Sequence, residues 1–67
     1  MTQLAPHQQR VVDEKRDLDD KREKLGNFKN TDLFASLPGL EQERINTQAH
    51  IMTMYSEVLG ERIAAFS

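Results

Sequence analysis

The stretch VVDEKRDLDDKREKL, residues 11–25, decides the fold of this chain. Eleven of its fifteen residues are charged, six of them acidic and five basic, so the charges nearly cancel. The apolar residues that recur in it every seven positions are Val11, Leu18 and Leu25. This spacing predicts a helix with a narrow coiled-coil seam, which has little apolar surface to bury.

A mostly polar first helix is expected around this stretch. Pro6 suits the first helical position, where its missing N–H leaves no bond unmade, so we expect the helix to run from about Pro6 to Phe28. Three residues after each seam position, where an ordinary seam is apolar, the sequence has Glu14, Lys21 and Phe28. Two acid–base pairs in the favourable i,i+4 order should add ~0.3 kcal/mol each: Asp17–Lys21 and Asp20–Lys24.

A second helix with a broader apolar face is expected from about Pro38 to Phe66. One row of this face repeats every seven residues and consists of Ile45, Met52, Leu59 and Phe66. An adjacent row with the same spacing consists of Ile51, Val58 and Ala65. Tyr55 is interpreted as a core aromatic whose hydroxyl lies at the rim. The narrow stripe of the first helix cannot cover this face, and an exposed apolar surplus usually marks an interface.

These patterns predict an all-α fold with a single helical domain over residues 1–67. Its form is an antiparallel two-helix hairpin with a short N-terminal segment and a short connecting turn. Thr31 or Asp32 is the expected cap of this turn. The turn is expected to carry three apolar side chains inward: Leu33, Phe34 and Leu37.

The size of the chain favours assembly. Domains of 67 residues are marginal alone, and disulfides, a metal or oligomerisation usually support them. The chain has no cysteine, and its two histidines, His7 and His50, lack metal-ligand spacing. We therefore expect no metal and no other cofactor, and a compact helical homo-oligomer.

Composition argues against several classes of function. The formal net charge is −2, and acids dilute every basic cluster, which is unlike a DNA-binding protein. No apolar run is long enough to cross a membrane, and no signal peptide is apparent, so a soluble intracellular protein is expected. There is no cysteine nucleophile, glycine-rich phosphate loop or metal-ligand cluster. An enzyme is therefore not expected.

Four basic residues are candidates for ligand binding. Lys21 lies beside the seam, where its stem covers an interface or its cation points into a groove between subunits, suited to a phosphate or carboxylate; Lys24 flanks it. Arg62 has apolar neighbours, so it needs a partner, which is either an acid such as Glu14 or a bound phosphate. His7 is either a solvated residue at the helix start or a ring that stacks on a base or binds phosphate.

Two segments carry a resemblance to a known family. HQQRVVDEKRDLDDKREKL at the front and Q-x-x-x-M-x-x-Y-S-x-x-L-G-E-R-I at the back resemble the type-2 anti-CBASS proteins of phages, which are sponges for cyclic oligonucleotides. The residues of the second motif are Gln48, Met52, Tyr55, Ser56, Leu59, Gly60, Glu61, Arg62 and Ile63. The resemblance covers nearly the whole chain. It implies a helical hexamer in the host cytoplasm that holds cyclic dinucleotides, such as cGAMP, between protomers without cleaving them.

The resemblance also assigns roles to the candidates. In the family an aromatic residue near the start of the first helix stacks on a base, and His7 is the nearest match, with a smaller ring than the expected tyrosine. A later lysine contacts phosphate, and Lys21 matches it, with Lys24 nearby. A late arginine serves a separate site for cyclic trinucleotides, and Arg62 matches it. Neither DNA nor a membrane is an expected partner.

Other functions remain open at this point. A structural or adaptor protein built on a helical hairpin would explain the broad second-helix face without any ligand. A protein that mimics DNA would need a clean anionic surface, and the mixture of Lys and Arg with the acids argues against it. An enzyme ranks last.

Overall fold

A computed structural model of the chain describes residues 3–66 and is all-helical, with no strand in this part. Its helices are α1 (Pro6–Lys29), α2 (Asp32–Ser36) and α3 (Gly39–Ala64). The all-α prediction is confirmed. The prediction of one domain over residues 1–67 includes Met1, Thr2 and Ser67, which lie outside the described residues, and it stays a prediction.

The two long helices, α1 and α3, pack side by side and antiparallel. Lys15 of α1 contacts Ser56 of α3, whereas Arg22, two turns later on α1, reaches back to Thr53. The chain therefore forms a hairpin, and its described residues fill a rod of 50 × 15 × 14 Å. Within residues 3–66, no helix combines the length and the apolar character that crossing a membrane requires.

Local hydrogen bonds explain where the helices begin and end. Pro6 is the first residue of α1, as expected, and the side chain of Gln8 accepts a bond of 2.9 Å from the Ala5 N–H. Thr31, rather than Asp32, caps α2, because its hydroxyl accepts a bond of 3.2 Å from the Phe34 N–H. Helix α3 ends at Ala64, two residues before the predicted end at Phe66.

The connection between the long helices is only partly folded inward. The rings of Phe28 and Phe34 meet edge to face with centroids 5.9 Å apart, and Leu37 is half-buried. Leu33 is 64% exposed, so the prediction that it points inward is wrong. The physical reason is that α2 has only five residues, and such a short helix can turn one side alone towards α1.

The core of the hairpin is small, as the narrow seam predicted. Among the described residues, the buried apolar side chains are Val11, which is 6% exposed, and Leu59, which is 0% exposed. Leu18 and Leu25 of the α1 seam are half-buried. The half-buried partners of Leu59 in its row are Ile45, Met52 and Phe66. The two predicted seams thus meet, but they bury few atoms fully.

The second row beside the α1 seam differs from the prediction. Glu14 and Lys21, the expected companions, are exposed. The row that faces α3 lies one position later and contains Lys15 and Arg22, which are half-buried. Long cationic side chains can occupy this position because their apolar stems lie along the partner helix while their charged ends reach polar groups.

Helix α3 is apolar on two sides. Opposite its contact with α1 it carries an outer face, which we define as Leu40, Ile51, Met54 and Val58, all at least half exposed. The predicted row of Ile51, Val58 and Ala65 is exposed as well. The expectation that α1 cannot cover the whole apolar surface of α3 is therefore confirmed. An exposed apolar face of this kind usually marks an interface.

Candidate functional site

A cluster of polar side chains bridges α1 and α3 at the middle of the hairpin. We call it the interhelical cluster, and it consists of Lys15, Asp19, Arg22, Thr53 and Ser56. Ser56 is 3% exposed and donates a bond of 2.5 Å to Asp19 Oδ1. Lys15 Nζ donates to Asp19 Oδ2 at 2.7 Å and to Ser56 Oγ at 3.0 Å. Arg22 Nη1 donates to Asp19 Oδ1 at 2.8 Å, and its Nη2 to Thr53 Oγ1 at 3.3 Å.

The electrostatics of this cluster favour a structural role. Asp19 accepts hydrogen bonds from Lys15, Ser56 and Arg22, and these bonds hold the pKa of its carboxyl far below the usual range. Both oxygens of that carboxylate are occupied, so it stays ionised and is a poor proton acceptor. The cluster therefore joins the helices and fixes their register instead of offering a reactive group to a ligand.

A groove runs along one side of the hairpin, between α1 and α3. This lateral groove has a volume of about 430 Å³. It is lined by Arg10, Asp13, Glu14, Asp17, Leu18 and Lys21 of α1 and by Tyr55 of α3. Tyr55 is 43% exposed, so the interpretation of this residue as a core aromatic is wrong. It forms the α3 wall of an open groove with cations on the opposite wall.

The lateral groove contains cations that are available to a ligand. Within residues 3–66, no carboxylate oxygen lies within 4.0 Å of the charged nitrogens of Arg10 or Lys21. The predicted Asp17–Lys21 pair is thus not formed in this part of the chain. The equivalent pair one turn away, Asp20–Lys24, is formed at 3.0 Å.

The structure separates the four predicted ligand-binding residues, all of which are exposed. Lys21 lies in the lateral groove, whereas Lys24 is bound to Asp20 outside it. His7 lies two heptads before Lys21, ~21 Å away along α1. Arg62 lies in the last turn of α3, one heptad after Tyr55 and ~10 Å from it along the axis. Because the helices are antiparallel, His7 and Arg62 lie towards the same end of the hairpin.

Sequence reasoning missed Arg10 and Tyr55 as residues of this groove. A signal for Tyr55 was present, since Gln48, Tyr55 and Arg62 repeat every seven residues. That row lies beside the buried row of Met52 and Leu59, on the side that leads to the groove. No comparable signal distinguishes Arg10 from the other cations of α1.

A second cavity, of about 520 Å³, lies on α3 alone. It is lined by Leu40, Glu43, Arg44, Thr47, Gln48, Ile51 and Met52. Most of its surface is apolar, and it contains none of the predicted ligand-binding residues. Within residues 3–66, no group of three or more His, Cys, Asp or Glu side chains is arranged to hold a metal ion.

Comparison with known proteins gives one finding. A family model described as Sequestin matches residues 5–65, a span that contains all three helices, the lateral groove and the interhelical cluster. No curated protein and no solved structure matches the chain.

Proposed function

Because this chain belongs to the Sequestin family, the cyclic-nucleotide sponges of the anti-CBASS class, we propose that it binds cyclic di- and trinucleotide second messengers without cleaving them. This membership confirms the family resemblance drawn from the two sequence motifs. By lowering the free messenger in the host cytoplasm, the protein would keep the CBASS effector inactive during phage infection.

The availability of Lys21 is the observation that carries this proposal. Its ammonium group is exposed in the lateral groove beside Tyr55, with no carboxylate partner among residues 3–66. A cyclic dinucleotide offers phosphates to a cation and flat bases to an aromatic ring. Charge-assisted hydrogen bonds to phosphate are roughly twice as strong as neutral ones, so a few such cations suffice.

Assembly would complete the binding site. His7 and Lys21 are ~21 Å apart along one helix. A small ligand that contacts both residues must therefore contact His7 of one chain and Lys21 of another. The outer face of α3 supplies an apolar surface for this assembly. We propose a homo-oligomer, a hexamer by resemblance to the family, whose symmetry brings copies of Lys21 together at each dinucleotide. Lys24 would add positive charge nearby, and Arg62 would serve a separate trinucleotide site.

A structural role without a ligand is the second candidate function. The observation that favours it is the outer face of α3, which an adaptor would use to hold a partner or another copy. Both candidates predict assembly. Only the sponge predicts that the assembly takes up cyclic nucleotides, so ligand binding separates the two.

Native mass spectrometry of the purified protein, with and without cyclic di- and trinucleotides, tests the proposal. The expected result is an oligomer that gains whole ligands and releases them with unchanged mass on denaturation. Lys21→Ala should abolish dinucleotide uptake while the oligomer mass is kept. Lys29→Ala, which removes a lysine from the last turn of α1, outside the lateral groove, is the matched control and should bind normally. An oligomer that binds no cyclic nucleotide would leave the adaptor as the function.

A further inference from the structure

The lateral groove carries charges of both signs. Asp13, Glu14 and Asp17 line the same groove as Arg10 and Lys21. Carboxylates beside a phosphate repel it, so they weaken binding unless they accept hydrogen bonds from the ligand. Their presence therefore indicates a ligand that has donor groups as well as negative charge.

One of these carboxylates is well placed to accept such bonds. Asp13 is already bound to Gln9 at 3.0 Å and lies 3.5 Å from Arg16. Glu14 and Asp17 form no hydrogen bond or ion pair with other side chains within residues 3–66, and Asp17 is the nearer of the two to Lys21, at the spacing that usually gives a pair. Asp17 and Lys21 are ~6 Å apart along the axis of α1, so both can reach a single nucleotide.

The remaining walls of the groove suit a flat ring. Leu18 is half-buried and apolar, and Tyr55 extends from α3 with 43% of its surface exposed. Stacking of a base on an aromatic side chain is a major source of affinity for nucleotides and tolerates any base. Tyr55 would therefore bind the base, but it would not choose which base is bound.

The donor pattern of the base decides which nucleotide satisfies Asp17. Guanine presents N1–H and an N2 amino group side by side, so the two oxygens of one carboxylate can accept both bonds. Adenine presents its amino group beside N1, which is an acceptor, so the second carboxylate oxygen would face a lone pair. A carboxylate in this position therefore favours guanine over adenine.

We propose that the lateral groove is a guanine-nucleotide subsite, in which Tyr55 stacks on the base, Asp17 accepts hydrogen bonds from guanine N1–H and N2–H, and Lys21 contacts a phosphate. This inference rests on the proposed sponge function and names the base that the same groove selects. Glu14 lies one turn further from Lys21 than Asp17 does, and it contributes charge to the groove without contacting the base.

Calorimetric titration of the full-length protein with cyclic di-GMP and with cyclic di-AMP tests the subsite. A bidentate contact to a base edge discriminates by about tenfold to a hundredfold, so the wild type should bind cyclic di-GMP tighter by that factor. Asp17→Asn should remove this preference by weakening cyclic di-GMP alone. Glu14→Gln removes the same charge from the groove as Asp17→Asn does. It should change the affinities for cyclic di-GMP and cyclic di-AMP by the same factor and keep the preference for cyclic di-GMP.

A second pair of variants tests the stacking wall. Tyr55→Ala should weaken both ligands by about tenfold to a hundredfold, and Tyr55→Phe should bind like the wild type because the ring remains. His50→Ala, which truncates an exposed aromatic elsewhere on α3, should bind normally.

The outcomes separate this inference from the function on which it depends. A protein that binds neither cyclic di-GMP, cyclic di-AMP nor any other cyclic nucleotide overturns the sponge function and the subsite together. A protein that binds both dinucleotides equally, with Asp17→Asn strengthening both, remains a sponge but has no guanine subsite. Loss of the preference in Glu14→Gln instead of Asp17→Asn also overturns the assignment made here.

Discussion

Ser56 of α3 donates its hydroxyl hydrogen to the carboxylate of Asp19 on α1 at 2.5 Å, and this bond lies at the centre of the contact between the two long helices. Around it, Lys15 and Arg22 bring positive charge to the same carboxylate. The interhelical cluster thus lies between Val11 and Leu25, within the narrow apolar seam of the hairpin. A partly buried polar cluster costs stability when its hydrogen bonds are left incomplete, so it disfavours helix registers in which these partners do not meet.

Ser56→Ala should destabilise the hairpin. It removes a hydroxyl that is 3% exposed and bonded to both Asp19 and Lys15, which leaves the carboxylate with fewer partners. We expect a loss of about 1 kcal/mol in the free energy of unfolding, measured by urea denaturation. Ser36→Ala, which removes an exposed hydroxyl from α2, is the control and should lose less. Equal losses in the free energy of unfolding for the two variants would show that the Ser56 hydroxyl in the interhelical cluster adds no specific stability.

The stability of the hairpin should depend on pH through Asp19. The folded state lowers the pKa of this carboxyl, so the unfolded state binds the proton more readily and stability falls as the pH falls. The contribution is complete at pH values well above the unfolded pKa of about 3.9, and it is lost progressively as the pH falls from about 5 towards the lowered pKa of the folded state. Thermal unfolding between pH 7 and about pH 2 should show a smaller decline for Asp19→Asn than for the wild type.

The control for this pH dependence is Glu23→Gln, which removes an exposed acid of α1 that belongs to no ion pair within residues 3–66. It should follow the wild-type curve. If Asp19→Asn also follows that curve, the Asp19 carboxylate does not stabilise the folded state.

Two helical glycines should respond differently to alanine. A Cβ at Gly26 would meet no atom within 4 Å, so Gly26→Ala should gain the full difference in helix propensity, about 1 kcal/mol. A Cβ at Gly60 would lie 3.3 Å from Cε of Lys15, so Gly60→Ala gains less because the Lys15 stem must shift. Urea denaturation of both variants checks this order. A larger gain at Gly60 would show that Lys15 does not cross α3 at that point.

The helices and their apolar rows could be predicted from the sequence because periodicity and end signals are local properties. Pro6 marks the start of α1. The seven-residue repeats that contain Val11 on α1 and Leu59 on α3 identify the side chains that face the partner helix. The interhelical cluster could not be predicted in this way. Lys15 and Arg22 look like the other charges of α1, and their burial depends on which residues of α3 lie opposite them.

The candidate site was predictable only in part for the same reason. Lys21 stood out because it is a cation beside a seam, and the structure places it in the lateral groove. Tyr55 could equally have packed in the core or beside it, since the direction of its side chain depends on how far α3 is rotated against α1. Whether Asp17 pairs with Lys21 depends on side-chain conformation, which the i,i+4 spacing favours but does not fix.

The outer face of α3 gives the final prediction. Ile51 and Val58 are exposed in the single chain, so charged residues there should leave the hairpin folded but prevent another chain from packing on this face. Light scattering coupled to size exclusion should therefore show a smaller particle for the double variant Ile51→Glu and Val58→Glu, with unchanged helical circular dichroism. His50→Glu, an exposed position elsewhere on α3, should keep the wild-type mass. An unchanged mass for the double variant would show that assembly uses another surface.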